Sequence, residues 1–504
     1  MGHKTLSRMA VLSMAAVIVL AGCGRELRPL PSEPPSTPAG LAPAASAFAQ
    51  KVSEAVTKDA MMVHVTKLQE IADEHGGNRA LGSPGYDASV DYVAKTLRDK
   101  GFDVQTPEFE VRLPYSDEPA LTVDGDSIAA FPLDYTIGTG PNGVAGELVL
   151  ARVEDSPGCT VSDYDGLPVE GAVVLVDRGE CQFGDKQAAA AERGAVALIV
   201  ANNVDGDEMG GTLGEDTDVK IPVIGITKAS GERLRADPGR TTIKLNAGVR
   251  VEHTRNVVAQ TKTGSGSDVV MTGAHLDSVA EGPGINDNGS GVAAVLETAL
   301  QLGPSPDVKY AVRFGFWGAE EFGLLGSNDY VASLDVDELK DIALYLNFDM
   351  IASPNPGYFT IDGDQSEAPD PNLEAPRIPE GSAGIERTLV AYLKSAGKNP
   401  EDVQFEGRSD FSSFTLAGVA AGGLFTGAEE EMTAEQAERW GGEAGQPFDP
   451  NYHKASDTIE NVDPIALEIN GRGAAYAVGL YAQDQGGRNG VPVRDDRTRH
   501  VLEP

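Results

Sequence analysis

An α/β architecture, a mixed, largely parallel central sheet flanked by helices with a smaller domain inserted into it, is what this 504-residue chain predicts. Three observations lead there. Continuous apolar runs in DVVMTGAHLDS, KYAVRFGFWGAEE and IALYLNF each break at or just before a charged residue, as buried strands of a parallel sheet do. Between the first two runs, NGSGVAAVLETALQLG offers cap residues Asn288 and Ser290, apolar positions at helical spacing and a terminal Gly303, so strand, loop, helix and strand follow in the order of a βαβ unit. A separate strand-then-helix pattern occupies the region between residues 116 and 250.

The elements follow in chain order. His3, Lys4 and Arg8 make a polar, basic start, and the apolar run MAVLSMAAVIVLAG after it is too short to span a bilayer comfortably. The run ends in Leu20-Ala21-Gly22-Cys23, which resembles a bacterial lipobox whose Cys is lipidated and becomes the mature N-terminus. An ordinary signal peptide with a chance Cys is the alternative. Residues 1–23 are therefore expected to be a lipoprotein signal peptide, and residues 24–45, rich in Pro, Ala and Ser, a flexible tether. The expected location is the extracellular face of a bacterial membrane, held by the lipid alone, or the medium.

Residues 46–115 read as the first part of the main domain. Met62, Val65, Leu68 and Ala72 recur at helical spacing over 61–77, as do Val90, Val93 and Leu97 over 88–101, where Gly101 is the stop. His64 and His75 receive no function. The inserted domain, 116–250, contains strands in GAVVLVDRGE and AVALIVANN, a helix in GDKQAAAAERG, and a further strand and helix in IPVIGITKASGERLRA. It holds Cys159 and Cys181, whose even count in an exported chain suggests a disulfide. Such a bridge would close a loop of about 20 residues and contribute roughly 3 kcal/mol; two buried thiols are the alternative. Residues 251–483 resume the main domain, and 484–504, without an apolar period, is expected to be disordered.

Net charge is −37, from 40 basic and 77 acidic residues. That balance repels nucleic acid and anionic lipid surfaces.

The strand ends carry the chemistry. His275, Asp287, Glu321, Asp349 and His453 sit in MTGAHLDS, GINDNGSG, FWGAEEFG, LYLNFDMI and NYHKASDT. In open α/β sheets ligands bind outside the carboxyl ends of strands, so distance along the chain is no obstacle to these residues meeting. Imidazole nitrogen and carboxylate oxygen are zinc ligands, and a pair of metals needs a shared two-oxygen group, for which Asp287 is the candidate. Glu320, beside Glu321, is left over as a general base and acid. Asp277 is placed to accept the other N–H of His275 and fix its tautomer. Taken singly, a His-x-Asp is a surface pair, an Asp-Asn-Gly-Ser a turn or cap, and a Glu-Glu pair solvated. Their conjunction after strongly apolar strands, where charge is costly without a role, favours a metal site.

GGNRALGSPGYDASVDYVAKTL, GAHLDSVAEGPGINDNGSGVAAVLE, NFDMIASPNPGYF, GRSDFSSF, GGLFTGAEE and RWGGEAGQPFDPNYHKASDT resemble secreted bacterial aminopeptidases with co-catalytic zincs, the leucyl aminopeptidase and aminopeptidase Y types. The resemblance implies a zinc exopeptidase fold and two Zn²⁺ per chain, one held by His275 and Asp349, the other by Glu321 and His453, with Asp287 bridging. It implies Glu320 as base and acid, Tyr452 as a stabiliser of the oxyanion, and Arg408 near the substrate pocket. The implied activity is removal of N-terminal, large apolar residues from peptides with free N-termini, through attack by a metal-bridged hydroxide, by a protein expected to be monomeric. Cobalt or manganese could replace zinc. Two departures stand out: Phe411 occupies a place where the family often has His, and an acidic, Pro-rich stretch spans 362–384. Some relatives bind calcium, but the sequence places no carboxylates for it. Arg178 to Phe183 resembles part of the protease-associated domain inserted in such peptidases, which would cover the entrance or contact longer substrates; a passive insertion is the alternative. Two other functions remain open, another exopeptidase such as a carboxypeptidase, with Arg408 gripping a terminal carboxylate, and a peptide-binding lipoprotein without turnover.

Overall fold

The computed structural model describes residues 43–151, 157–366, 378–486 and 490–502. Cys23, the signal segment and most of the expected tether lie outside them. The tether was expected to reach residue 45, but the helix Pro43–Ala55 begins earlier and buries Ala45 and Ala49 against Leu480. No helix among the described residues is long and apolar enough to cross a membrane.

The main sheet has eight strands. In spatial order they are Asp103–Gln105, Val257–Gln260, Tyr310–Trp317, Ser265–His275, Ile342–Phe348, Ala420–Phe425, Phe359–Ile361 and Glu401–Val403. The central four, from Tyr310–Trp317 to Ala420–Phe425, run parallel, and antiparallel pairs lie to either side. The apolar runs read from the sequence are these central strands. Ile342–Phe348 is buried at every position, as a strand covered on both faces must be. One core joins the sheet to the helices Lys58–Glu74, Pro84–Lys100, Gly289–Leu302, Ser382–Ser395 and Pro464–Tyr481. A second core gathers Trp317, Tyr345, Phe411 and Phe414, with Tyr345 stacked on Phe414 at 3.8 Å between ring centroids. Asn288 and Gly303 flank the helix Gly289–Leu302 as expected, the Asn288 side chain accepting from Gly291 N–H. His64 is a core residue, bonded to Tyr92 and Glu297.

The inserted region builds its own eight-stranded sheet, with Val144–Leu150, Val173–Asp177, Ala197–Ala201 and Val223–Ile226 running parallel at its centre. The expected helices are Phe183–Glu192 and Lys228–Ala236, and Cys159 and Cys181 form the disulfide. The strands Glu108–Ser116 and Ala247–Arg255 pair antiparallel along their whole length. This ribbon brings the two ends of the insertion together, so a long detour in sequence closes at one point.

The C-terminal segment corrects the expectation of disorder. Arg497, 3% exposed, donates to the carbonyls of Pro492, Ser267 and Lys340 and to the Asp268 carboxylate. Arg499 donates to the carbonyls of Leu339, Ile342 and Gly418, and the His500 N–H to that of Ala417. A polar, aperiodic sequence is thus held chiefly by guanidinium groups on backbone carbonyls, with Val491 and Leu502 adding apolar contacts at its two ends. Of the acidic stretch 362–384, residues 367–377 lie outside the described residues. Asp362 and Asp364 approach Glu386, but an acidic cluster alone does not make a calcium site.

Candidate active site

His275 ends its strand opposite Trp317, and Asp349 directly follows the neighbouring strand Ile342–Phe348. Asp287 lies in the loop entering the helix Gly289–Leu302. That helix start presses against the strand end. A Cβ on Gly291 would lie 2.1 Å from the Phe348 carbonyl oxygen, so only glycine permits the approach. Asn288 fixes the contact, donating to the Phe348 carbonyl at 3.0 Å and accepting from Met350 N–H at 3.3 Å. The neighbours of Asp287 and Asp349 are thereby stitched together. After Trp317 the chain turns through Ala319, in the left-handed region at φ 57°, into the short turn Glu320–Phe322. Met350 and His453 are likewise left-handed, at φ 48° and 55°. Strained backbone of this kind costs on the order of 1–3 kcal/mol per residue and persists where the surroundings over-determine it; here each case adjoins or is a residue of the cluster.

The result is two groups of ligand atoms sharing one carboxylate. His275 Nε2 lies 3.2 Å from Asp287 Oδ1 and 3.2 Å from Asp349 Oδ1. His453 Nε2 lies 2.9 Å from Glu321 Oε2 and 3.3 Å from Asp287 Oδ2. Asp287 therefore turns one oxygen to each imidazole. Within each group the ligand atoms lie within 4.8 Å of one another, a spacing that a metal ion would draw together. Glu320, 8% exposed, has its Oε2 at 3.9 Å from His275 Nε2. Asp277 does something beyond the expected imidazole contact. Its Oδ1 stands 3.7 Å from His275 Nδ1, past hydrogen-bond reach, and its two oxygens instead accept from the backbone N–H groups of Glu320 and Glu321 at 3.1 and 3.3 Å. It aims the two glutamates.

The electrostatics call for cations. Among the described residues no Lys or Arg forms an ion pair with Asp287, Glu320, Glu321 or Asp349, although most of this carboxylate is buried. Burial, then the charges of Asp349, Asp410 and Glu321, push the Glu320 carboxyl well above its usual range, with His275 opposing. Burial and the Asp287 charge raise Glu321 to about 7. Burial acts on Asp287 in the same sense, but its bonds to His275 and His453 prevail and hold it low. His453 is lowered by burial, yet Asp287 and Glu321 bring it up to about 10. Among the described residues, Glu321 Oε1 and His275 Nδ1 find no hydrogen-bond partner. Two imidazoles and three carboxylates converging, with an orphaned oxygen, fit divalent zinc.

Comparison with known proteins places the chain. It is 60% identical over 504 residues to a probable lipoprotein aminopeptidase, LpqL, of Mycobacterium tuberculosis, covering 100% of this chain and 99% of that protein. Residues 256–478 match peptidase family M28. The chain belongs to peptidase family M28. Residues 144–234 match the PA domain, inserted ahead of that match. A leucine aminopeptidase 2 of Arthroderma otae is 41% identical over 450 residues, 88% of this chain and 87% of that one. The solved structure of a zinc aminopeptidase from Bacillus subtilis is 25% identical with a TM-score of 0.55, over 86% of this chain and 98% of that one.

In this M28 peptidase a cavity of about 360 Å³ opens at the cluster. Its lining joins His275, Asp287, Glu320, Glu321 and Asp349 to Met350, Phe359, Ile361, Val403, Leu424, Phe425 and Phe448. Arg408 and Tyr452 also line it. Arg408 donates to the Tyr452 hydroxyl at 3.3 Å and pairs with Glu429 at 2.9 Å and Glu430 at 3.5 Å. The Tyr452 ring stacks on His453, 3.8 Å between centroids. Phe411, where the family often has His, lines the cavity and packs edge-on against Phe405. A larger cavity, about 820 Å³, lies along the C-terminal segment and contains none of the metal-cluster residues.

Several residues around the cluster escaped sequence reasoning. Ser409 donates to Asp349 Oδ2 at 2.7 Å and accepts from Asn347 at 2.8 Å. Asp410 is fully buried, neither oxygen finds a hydrogen-bond partner among the described residues, and burial raises it to about 7. Arg79 and Asp457 lie against the loop of Asp287. Each stands in a stretch that resembles the family, but nothing in its spacing marks it.

Proposed function

We propose that this M28 peptidase is a two-zinc aminopeptidase releasing large apolar residues from peptides with free N-termini. The observation that carries it is the division of Asp287, one oxygen toward His275 and Asp349, the other toward His453 and Glu321. His275 and Asp349 would hold one zinc, Glu321 and His453 the other, and Asp287 both. When bound, the metals polarise the scissile carbonyl and acidify a water.

The chain's own groups do the rest. Glu320 takes the proton of the attacking water and returns it to the leaving amine. Its buried, acid-crowded carboxyl is tuned upward, as a group that must both accept and donate near neutral pH requires. Asp277 holds Glu320 and Glu321 by their backbone amides. The Tyr452 hydroxyl, already bonded to Arg408, donates to the developing oxyanion. The substrate's α-ammonium finds its counter-charge among the carboxylates, which explains a need for a free N-terminus. The apolar lining of Phe359, Ile361, Val403, Leu424 and Phe448 receives the first side chain, and a relative named leucine aminopeptidase agrees with it. A carboxypeptidase is disfavoured because Arg408, the cation it would need, is already paired with Glu429 and Glu430.

Residues 46–115 and 251–483 form the catalytic domain in this proposal and 116–250 the insertion, over the entrance or beside it. Lipidation at Cys23 would hold the enzyme on the extracellular face of the membrane; the lipobox-like segment and the lipoprotein name of its relative support this. The test is hydrolysis of leucine p-nitroanilide beside its N-acetyl derivative, with and without chelator and added zinc. Cleavage of the free-amine substrate alone, lost on chelation and restored by zinc, is expected. Equal cleavage of both, or indifference to chelator, would overturn the proposal.

A further inference from the structure

Opposite charges grip the loop that leads to Asp287 from two directions, and neither is a metal ligand. Arg79 is 0% exposed. Its Nε donates to the Pro283 carbonyl at 2.9 Å, its Nη2 to that of Gly284 at 2.6 Å, and its Nη1 to that of Leu276. Its own N–H donates to Ser278 Oγ at 3.0 Å, and its carbonyl accepts from Ser278 N–H at 3.3 Å. From the other direction comes Asp457, 2% exposed. Its Oδ1 accepts from Asn286 N–H at 2.8 Å, its Oδ2 from Asp287 N–H at 3.0 Å, and its carbonyl from Ile285 N–H at 3.2 Å. The carbonyls of Pro283 and Gly284 and the N–H groups of Ile285, Asn286 and Asp287 thus all meet one of two buried residues.

Between them the loop has no slack. Gly284 has φ 62°, and a Cβ there would lie 2.3 Å from the Asp287 carbonyl oxygen and 2.4 Å from Ser278 Cβ. Arg79 makes no ion pair within 4 Å among the described residues. Its charge instead acts on Asp277, Asp457, Asp287 and Glu321 together. A buried guanidinium without a partner is costly, and three carbonyls plus a surrounding carboxylate field are what hold it there.

We infer that Arg79 and Asp457 form a charge-balanced backbone clamp, positioning residues that fix Asp287 where both metal groups can share it. Arg79 pins the carbonyls on the approach and Asp457 pins the amides at the ligand itself. Asp457 lies on the segment that carries His453, so the clamp also ties one zinc's imidazole to the shared carboxylate. The inference rests on Asp287 being the shared ligand.

The test uses the full chain with Arg79→Lys, Asp457→Asn, the double variant Arg79→Lys/Asp457→Asn and, as a control on the ligand itself, Asp287→Asn. Zinc dissociation constants are measured by chelator competition, folding by circular dichroism, and kcat and KM on leucine p-nitroanilide. Arg79→Lys keeps the charge without the fork; Asp457→Asn keeps the shape without the charge. Each is expected to fold, to weaken zinc binding by about tenfold or more, as loss of a group that orients a ligand does, and to lower kcat with KM changed less than about twofold. The double variant should lose less than the product of its single losses, because both groups act on one loop. Folded single variants with unchanged zinc affinity, or an Asp457→Asn chain that fails to fold, would overturn the clamp and leave a purely structural role. If Asp287→Asn itself keeps full zinc content, it is the shared-ligand assignment that fails.

Discussion

Glu320 and Glu321 are neighbours in sequence to which the proposed mechanism gives separate work, and the difference is geometric. Glu321 reaches His453 at 2.9 Å, while Glu320 stands 3.9 Å from His275 in a buried, acid-rich position. Glu320→Gln preserves shape and removes the proton carrier. It should lower kcat by at least about 10²-fold with zinc content unchanged, as metal analysis beside kinetics would show. A variant retaining full activity would remove Glu320 from the mechanism. His453 gives a pH dependence with a definite sign. Bonding to Asp287 and Glu321, against burial, brings it to about 10 from an ordinary value of 6.5. In the metal-free protein its charged form therefore stabilises fully below about pH 6.5, and that contribution fades as pH rises toward 10. Zinc needs the same nitrogen unprotonated. The rise in Tm on adding zinc should thus be larger at pH 8 than at pH 5.5, read by thermal melts of the apo protein. An equal rise at both would argue against His453 as a ligand.

At the level of elements, three of the four parallel strands lead into the cluster at the same edge of the sheet. Tyr310–Trp317 leads to the glutamates, Ser265–His275 to the first imidazole and Ile342–Phe348 to Asp349. The apolar runs make these endpoints legible, because a buried strand must stop where charge begins. The loops between are not legible in the same way. SVAEGPGIND reads as an ordinary glycine- and proline-containing turn, yet Gly284 is left-handed there and its neighbours leave no room for a methyl group. Gly284→Ala should therefore lower both Tm and zinc affinity, by about tenfold or more in the latter if the Asp287 loop shifts. Substitution at Gly303, which also has positive φ but nothing within 4 Å, serves as the control for backbone strain alone. Equal effects at both sites would mean that strain, not crowding at the loop, is responsible.

For the whole molecule, the C-terminal segment is the clearest test of what composition hides. Residues 490–502 lie along the edge where strands begin, away from the catalytic ends, through Arg494, Arg497 and Arg499. Truncation after Gly486 strips guanidinium bonds from the carbonyls of Ser267, Leu339, Lys340 and Ile342. Hydrogen bonds from charged donors contribute on the order of 1.5–3 kcal/mol each. The truncated chain should melt about 5 °C lower or more, with KM for leucine p-nitroanilide unchanged. A melting point equal to that of the full chain would restore the expectation of an idle tail.

Sequence alone determined the α/β class, the strand ends that matter, the inserted domain, and the convergence of His275, Asp287, Glu321, Asp349 and His453 with Glu320 beside them. These follow from local signals, since apolar runs, caps and charges placed after strands are properties of short segments. Tertiary structure decided what depends on contacts between distant segments. It gave Asp277 to the backbone of Glu320 and Glu321, paired Arg408 with Glu429 and Glu430, ordered a polar tail, and closed Arg79 and Asp457 around a loop hundreds of positions from the first of them. A buried arginine and a buried aspartate look, in sequence, like any exposed pair; only the fold's exclusion of water makes their hydrogen bonds decisive.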